Sequence, residues 1–154
     1  MPLEIVYGDI TKISADAIVN AANSGLREGG GVCGAIFKAA GADKLRAECE
    51  KIGYCPEGGA VITGGYALPA EYIIHTVGPV WRGGNYGEEE VLRSCYLSSL
   101  QLAKQRGLNS VAFPLISSGI FGYPKEEAMK TAVSAIEDFL SENDMAVSLV
   151  LFGR

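Results

Sequence analysis

The sequence has a single histidine, His75, and no pair of cysteines at C-x-x-C spacing. Its four cysteines, Cys33, Cys49, Cys55 and Cys95, are scattered and none lies near His75. That spacing argues against a structural zinc site, and a chain of 154 residues needs no disulfide framework to hold a core. Free thiols are expected, with a cytoplasmic location. There is no basic run, and 13 Lys and Arg against 18 Asp and Glu leave a net charge of −5. DNA, RNA and anionic membranes are poor partners for such a chain, because binding them rests on basic side chains neutralising phosphates. No apolar run approaches the roughly 18 residues of a membrane span, and the opening MPLEIVYGDI lacks the two regions of a signal peptide. No G-x-x-x-x-G-K-[ST] occurs, which removes the P-loop NTPases. Repeats, linkers and low-complexity tracts are also missing, so residues 1–154 are expected to form one domain and to act as a monomer.

Glycine is the residue in excess. There are 20, against 6 prolines, where a typical share of about 7% would give about 11. Short β-branched runs predict strands at Leu3–Tyr7, Ala17–Val19, Gly59–Thr63, Tyr72–Val77, Ser110–Pro114 and Ala146–Phe152. Helical spacing predicts helices at Gly31–Gly41, Ala42–Ile52, Glu88–Arg106 and Lys125–Leu140. In Glu88–Arg106 the apolar face is read as Val91, Cys95 and Leu102. Strands alternating with helices imply an α/β fold with a mostly parallel sheet covered on both faces.

Three strand ends run into glycine or small polar residues. They are Tyr7-Gly8-Asp9-Ile10-Thr11, Asp16 to Asn23 leading into Gly29-Gly30-Gly31-Val32, and Phe113 to Gly122. In α/β sheets ligands sit at the carboxyl ends of strands, against helix N-termini. Glycine lets the backbone approach a phosphate, and successive N–H groups make an anion nest without any cationic side chain. Each loop alone is also consistent with a tight strand-to-helix turn. Gly29, Gly31 and Gly34 match G-x-G-x-x-G by spacing, but no strand runs directly into them, so a nicotinamide-dependent oxidoreductase has only that match behind it.

The order of motifs is more specific than any one of them. Gly8-Asp9-Ile10-Thr11, Ala17 to Asn23, Gly29 to Val32, Gly59 to Thr63, Ile74-His75-Thr76-Val77-Gly78-Pro79 and Phe113 to Gly122 together resemble the macrodomain family along essentially the whole chain. The nearest branch contains ADP-ribosyl-protein hydrolases and O-acetyl-ADP-ribose deacetylases. The resemblance implies a three-layer α/β/α sandwich with a mixed, mostly parallel sheet, ADP-ribose as ligand, and no cofactor or metal. It further implies hydrolysis of ester-linked conjugates, O-acetyl-ADP-ribose or mono-ADP-ribosylated Glu or Asp, by an ordered water. The alternative is a non-catalytic ADP-ribose reader.

Carried over residue by residue, Asp9 would accept from the adenine amine, with the Ile10 backbone beside it. Gly29, Gly30, Gly31 and Val32 would form one phosphate loop, and Ser117, Ser118, Gly119, Ile120, Phe121 and Gly122 the other. Asn20 and Asn23 would serve the proximal ribose, with Phe121 packed near it, and Phe152 would stack on adenine. Local alternatives exist for each: helix capping for Asp9, turn-making for the asparagines, core filling for Phe121.

The sequence departs from the branch at two positions. The usual aspartate after Gly-Gly-Gly-Val is Cys33, and the histidine often found four residues later is Phe37. Three readings of Cys33 follow. It is a small residue beside a site where Asn23, the substrate phosphate and water do the work. It marks a binder without turnover. Or the helix N-terminus makes it a thiolate. His75 is expected to hydrogen-bond within the core, and Trp81 to pack a loop against the sheet. Family members often carry a helical tail beyond the point where this chain stops, Gly153-Arg154.

Overall fold

Ala17, Ile18 and Val19 are all fully buried, yet they serve two different cores. Ala17 and Val19 join Ile74, Val111, Phe113, Val147 and Leu149 on one side, while Ile18 joins Ile73, Ala112 and Val150 on the other. Side chains alternate across a strand, so both faces of this sheet are covered. The computed structural model describes residues 3–152. Met1, Pro2, Gly153 and Arg154 lie outside the described residues, and the expectation placed on Gly153-Arg154 lies there with them.

The strands are β1 (Glu4–Tyr7), β2 (Ala17–Ala21), β3 (Ala60–Gly64), β4 (Tyr72–Thr76), β5 (Ser110–Phe113) and β6 (Ala146–Leu151). Their order is β1-β6-β5-β2-β4-β3, with every neighbouring pair parallel except the antiparallel β3–β4 pair at the edge. The mixed, mostly parallel α/β sandwich read from the sequence is the fold found. Helices α1 (Gly31–Ala40) and α2 (Ala42–Ile52) cover one face, and α3 (Glu88–Gln105) and α4 (Lys125–Leu140) cover the other. Each of the four helices lies within a residue of its expected range.

Two details differ from expectation. Strand β2 runs on through Asn20 and Ala21, because these pair with His75 and Thr76 of β4. The buried face of α3 is Leu92, Cys95, Tyr96, Ser99, Leu100 and Ala103, which leaves Val91 and Leu102 as its half-buried margins. Three residues at loose helical spacing located the helix but set its face about one residue off.

The parallel arrangement brings the carboxyl ends of β1, β2, β4, β5 and β6 to one edge. The loops Gly8–Thr11, Ala22–Gly30, Val77–Gly87 and Pro114–Pro124 gather there. Among the described residues no helix is long and apolar enough to cross a membrane.

Candidate functional site

Helix α1 starts without help from any side chain. Gly30 is its N-cap, no side chain bonds to its first turn, and that turn holds no acidic residue. Among the described residues the N–H groups of Gly31, Val32 and Cys33 have no acceptor, while Gly34 N–H already bonds Gly30 O at 3.2 Å. The partial positive charge of the helix end is thus open to an external anion. Glycine is required twice in this turn. Gly31 has φ +57°, and a Cβ on Gly34 would lie 2.4 Å from Gly29 O.

The loop after β5 is a set of nested turns. Ser118 donates both N–H and Oγ to Leu115 O, Gly122 N–H bonds Gly119 O, and Tyr123 N–H bonds Ser117 O. From below, the buried Tyr96 hydroxyl takes the Ile116 N–H at 3.1 Å and donates to Pro114 O. The N–H groups of Gly119, Ile120 and Phe121 are uncommitted among the described residues. Ser117 is held at φ +68°, a strained region for a residue with a Cβ, and its buried Oγ has no partner among the described residues. Ile120 is 80% exposed and reaches across, its Cδ1 3.3 Å from where a Gly30 Cβ would lie. The two glycine loops therefore lie side by side, each with free backbone donors.

Asn23, Gly29 and Cys33 converge beside this junction: a Gly29 Cβ would lie 3.7 Å from Asn23 Nδ2 and 3.9 Å from Cys33 Sγ. Both ends of the Asn23 amide close on the Arg27 main chain, at 2.7 and 2.9 Å. Cys33 Sγ also donates to Arg27 O at 3.6 Å. Asn20 is fully buried. Its Nδ2 lies 3.1 Å from His75 Nδ1 and 3.6 Å from Cys33 Sγ, and its Oδ1 has no partner among the described residues. As the loop stands, Asn20 offers no amide group to solvent, whereas the half-exposed Asn23 keeps one N–H and one lone pair beyond its two bonds to Arg27.

Burial pushes the Cys33 thiol up, and this outweighs the Asn20 and Gly29 hydrogen bonds that favour its charge; Glu28 adds to the rise. That burial weighs against the thiolate reading of Cys33. His75 lies in the core as expected, with burial driving its imidazole down to about 4, so it is neutral at pH 7.

The remaining residues line the ends of the site. Asp9 Oδ1 accepts from Thr11 N–H at 3.0 Å and Thr11 Oγ at 2.7 Å, capping a single 3-10 turn, Ile10–Lys12. The Thr11 side-chain and backbone bonds draw its carboxyl below the usual range. Both fall on Oδ1, which leaves Oδ2 for an outside donor. The Ile10 side chain is core, packed in the cluster that α1 covers. Phe121 is half-buried and its carbonyl accepts from Trp81 N–H at 2.8 Å. Trp81 packs its loop against the core cluster on that face of the sheet, as expected, with its ring on Tyr123 at a centroid distance of 4.7 Å, where it also braces the second glycine loop. Phe152 is 91% exposed, just past β6. Phe37 is core.

Sequence reading missed the parts that support the loops: Tyr96, Thr63 and Gly78. A Cβ on Gly78 would lie 2.2 Å from Ser117 Oγ. Glycine followed by proline directly after a strand was the available signal for that close approach. Among the described residues no group of three or more His, Cys, Asp or Glu side chains is placed to hold a metal ion.

A mixed sheet with two helix-flanked glycine loops at its carboxyl edge defines a class of small α/β ligand-binding domain. Residues 19–132 match the Macro domain family, and the chain belongs to that family. A Macro domain-containing protein of Methanosarcina mazei is 52% identical over 149 residues, 97% of this chain and 79% of that protein. A protein of Escherichia fergusonii named O-acetyl-ADP-ribose deacetylase is 49% identical, over 92% of this chain and 81% of its own length. A mutant of the Oceanobacillus iheyensis macrodomain, solved with ADPR, superposes with a TM-score of 0.90 at 46% identity. That match covers 97% of this chain and 84% of the other.

Proposed function

We propose that this chain binds ADP-ribose along the carboxyl edge of the sheet and hydrolyses ester-linked conjugates such as O-acetyl-ADP-ribose. The observation that carries the binding reading is the closeness of two loops that both present unpaired backbone N–H groups, one of them at an uncapped helix start. A diphosphate fits such a place without lysine or arginine. Asp9 Oδ2 is left to accept from the adenine amine, and Asn20 and Asn23 stand where they can serve the proximal ribose, which carries the ester. Asn23 is within reach of a ligand, while reaching the fully buried Asn20 requires the loop above it to open. The O-acetyl-ADP-ribose deacetylase name of a relative 49% identical supports the hydrolytic part.

In the reaction, a water oxygen adds to the ester carbonyl. As the tetrahedral intermediate collapses, the acyl carbon–ribose oxygen bond breaks. The ribose oxygen takes the proton that water gives up, releasing acetate and ADP-ribose. Cys33, buried and protonated, is not the base. Water activation falls to the hydrogen bonds that the water donates to the substrate's own phosphate oxygens and to the ribose-site amide oxygens.

The same Cys33 burial favours a second reading, a module that binds ADP-ribose on modified proteins without turnover. Hydrolysis of O-acetyl-ADP-ribose, followed for the native chain and for Cys33→Asp alongside ADP-ribose binding, separates the two. Turnover by the native chain is the expected result. Two inert proteins that still bind would establish the reader, and activity only in Cys33→Asp would mark the cysteine as a lesion.

A further inference from the structure

Thr63, His75, Asn20 and Cys33 form a continuous chain of polar contacts beneath the start of α1. Asn20 and His75 are register partners on β2 and β4, and Thr63 lies two residues from His75's partner on β3, on the same face. Thr63 Oγ donates to Gly64 O at 3.2 Å and lies 2.9 Å from His75 Nε2. A hydroxyl has one hydrogen. With that hydrogen on Gly64 O, Nε2 must carry the imidazole proton and donate to Thr63. Nδ1 is then a lone pair and can only accept, so the Asn20 group 3.1 Å away is the amide N–H. The second amide hydrogen goes to Cys33 Sγ at 3.6 Å. Every donor is spent, and Asn20 Oδ1 is left as a fully buried acceptor without a donor.

We infer that Thr63 and His75 are positioning residues: together they fix the Asn20 amide so that Oδ1 awaits a ligand hydroxyl. The inference rests on the ADP-ribose reading for the identity of that hydroxyl, which belongs to the proximal ribose. A flipped amide would set Oδ1 against the Nδ1 lone pair of His75, two acceptors 3.1 Å apart, and would turn the ligand hydroxyl from donor to acceptor. His75 thus acts on the ligand through Asn20, without touching it.

The test has two independent readouts. His75 is the sole histidine, so ring 15N shifts of the untagged chain report its tautomer without assignment. The Nε2–H form is expected in the native chain, with Thr63→Val shifting it toward Nδ1–H and Thr63→Ser keeping it. In titrations, Thr63→Val and His75→Phe should weaken ADP-ribose binding by about tenfold. ADP, which lacks the proximal ribose, should bind as before, and Thr63→Ser should restore ADP-ribose affinity. Thermal unfolding identifies any variant that fails to fold. A native Nδ1–H tautomer overturns the inference. So does a Thr63→Val protein that binds ADP-ribose normally, or loses ADP and ADP-ribose alike. A native chain that binds no ADP-ribose overturns the proposed function instead, and the tautomer still decides the inference.

Discussion

Gly78 and Ser117 meet so closely that a single added carbon has no room: a Cβ on Gly78 would lie 2.2 Å from Ser117 Oγ and 2.7 Å from Ile116 Cγ2. The end of β4 thereby presses on the loop after β5 just where Ser117 is held at φ +68°. Gly78→Ala should cost about 1–3 kcal/mol of stability, as overpacking generally does. Ser117→Gly removes the clashing hydroxyl and suits the positive φ. The double variant should therefore recover part of the loss, leaving the Ile116 contact unrelieved. Denaturant melts of the two single variants and the double variant check this, and strict additivity would contradict it.

The loop after β4 depends on one carboxylate. Glu88, only 2% exposed, accepts from the backbone N–H groups of Arg82, Gly84 and Tyr86 at 2.8, 3.0 and 2.7 Å. Burial raises its carboxyl, but the backbone N–H donors outweigh that and hold it at about 2, below its ordinary 4.5. A lowered folded value means the stabilisation is present above 4.5 and is lost as pH falls toward 2. Glu88→Gln should loosen residues 82–86 at neutral pH and remove that acid dependence. Amide exchange of Gly84 and Tyr86 measures it.

His75 sets a second pH limit. Its imidazole is held at about 4 where an unfolded histidine has 6.5, because burial penalises the charged ring. Between these values the unfolded chain binds a proton that the folded chain does not. Stability is therefore complete above pH 6.5 and falls by about 3 kcal/mol as pH drops to 4. Unfolding midpoints from pH 7.5 to 4.5 test this. His75→Phe, carrying no titrating ring, should flatten that part of the profile.

The fold was legible because each of the six strands is a compact β-branched run and each helix has its own apolar stripe. Ala17–Val19 and Lys125–Leu140 show this best. The glycine loops were legible as places, since glycine clusters followed strand ends. Their junction was not, because the approach of Ile120 to Gly30 depends on how the loop after β5 turns. The Thr63–His75–Asn20 chain was hidden for a related reason. Local pattern marks a strand, but strand order and register put Asn20 beside His75, and these are set by long-range packing. Cys33 illustrates the remaining gap. Its position at a helix start left three readings open, and the burial that pushes its thiol up belongs to a fold in which Cys33 Sγ lies against Arg27 O.

Calorimetric titration of the native chain with ADP-ribose, with AMP as the control, tests the central claim most directly. Saturable heat with ADP-ribose and much weaker heat with AMP at the same concentrations is the expected result, because only ADP-ribose offers a diphosphate to both glycine loops. No heat with ADP-ribose, or equal binding of the two, would contradict the account.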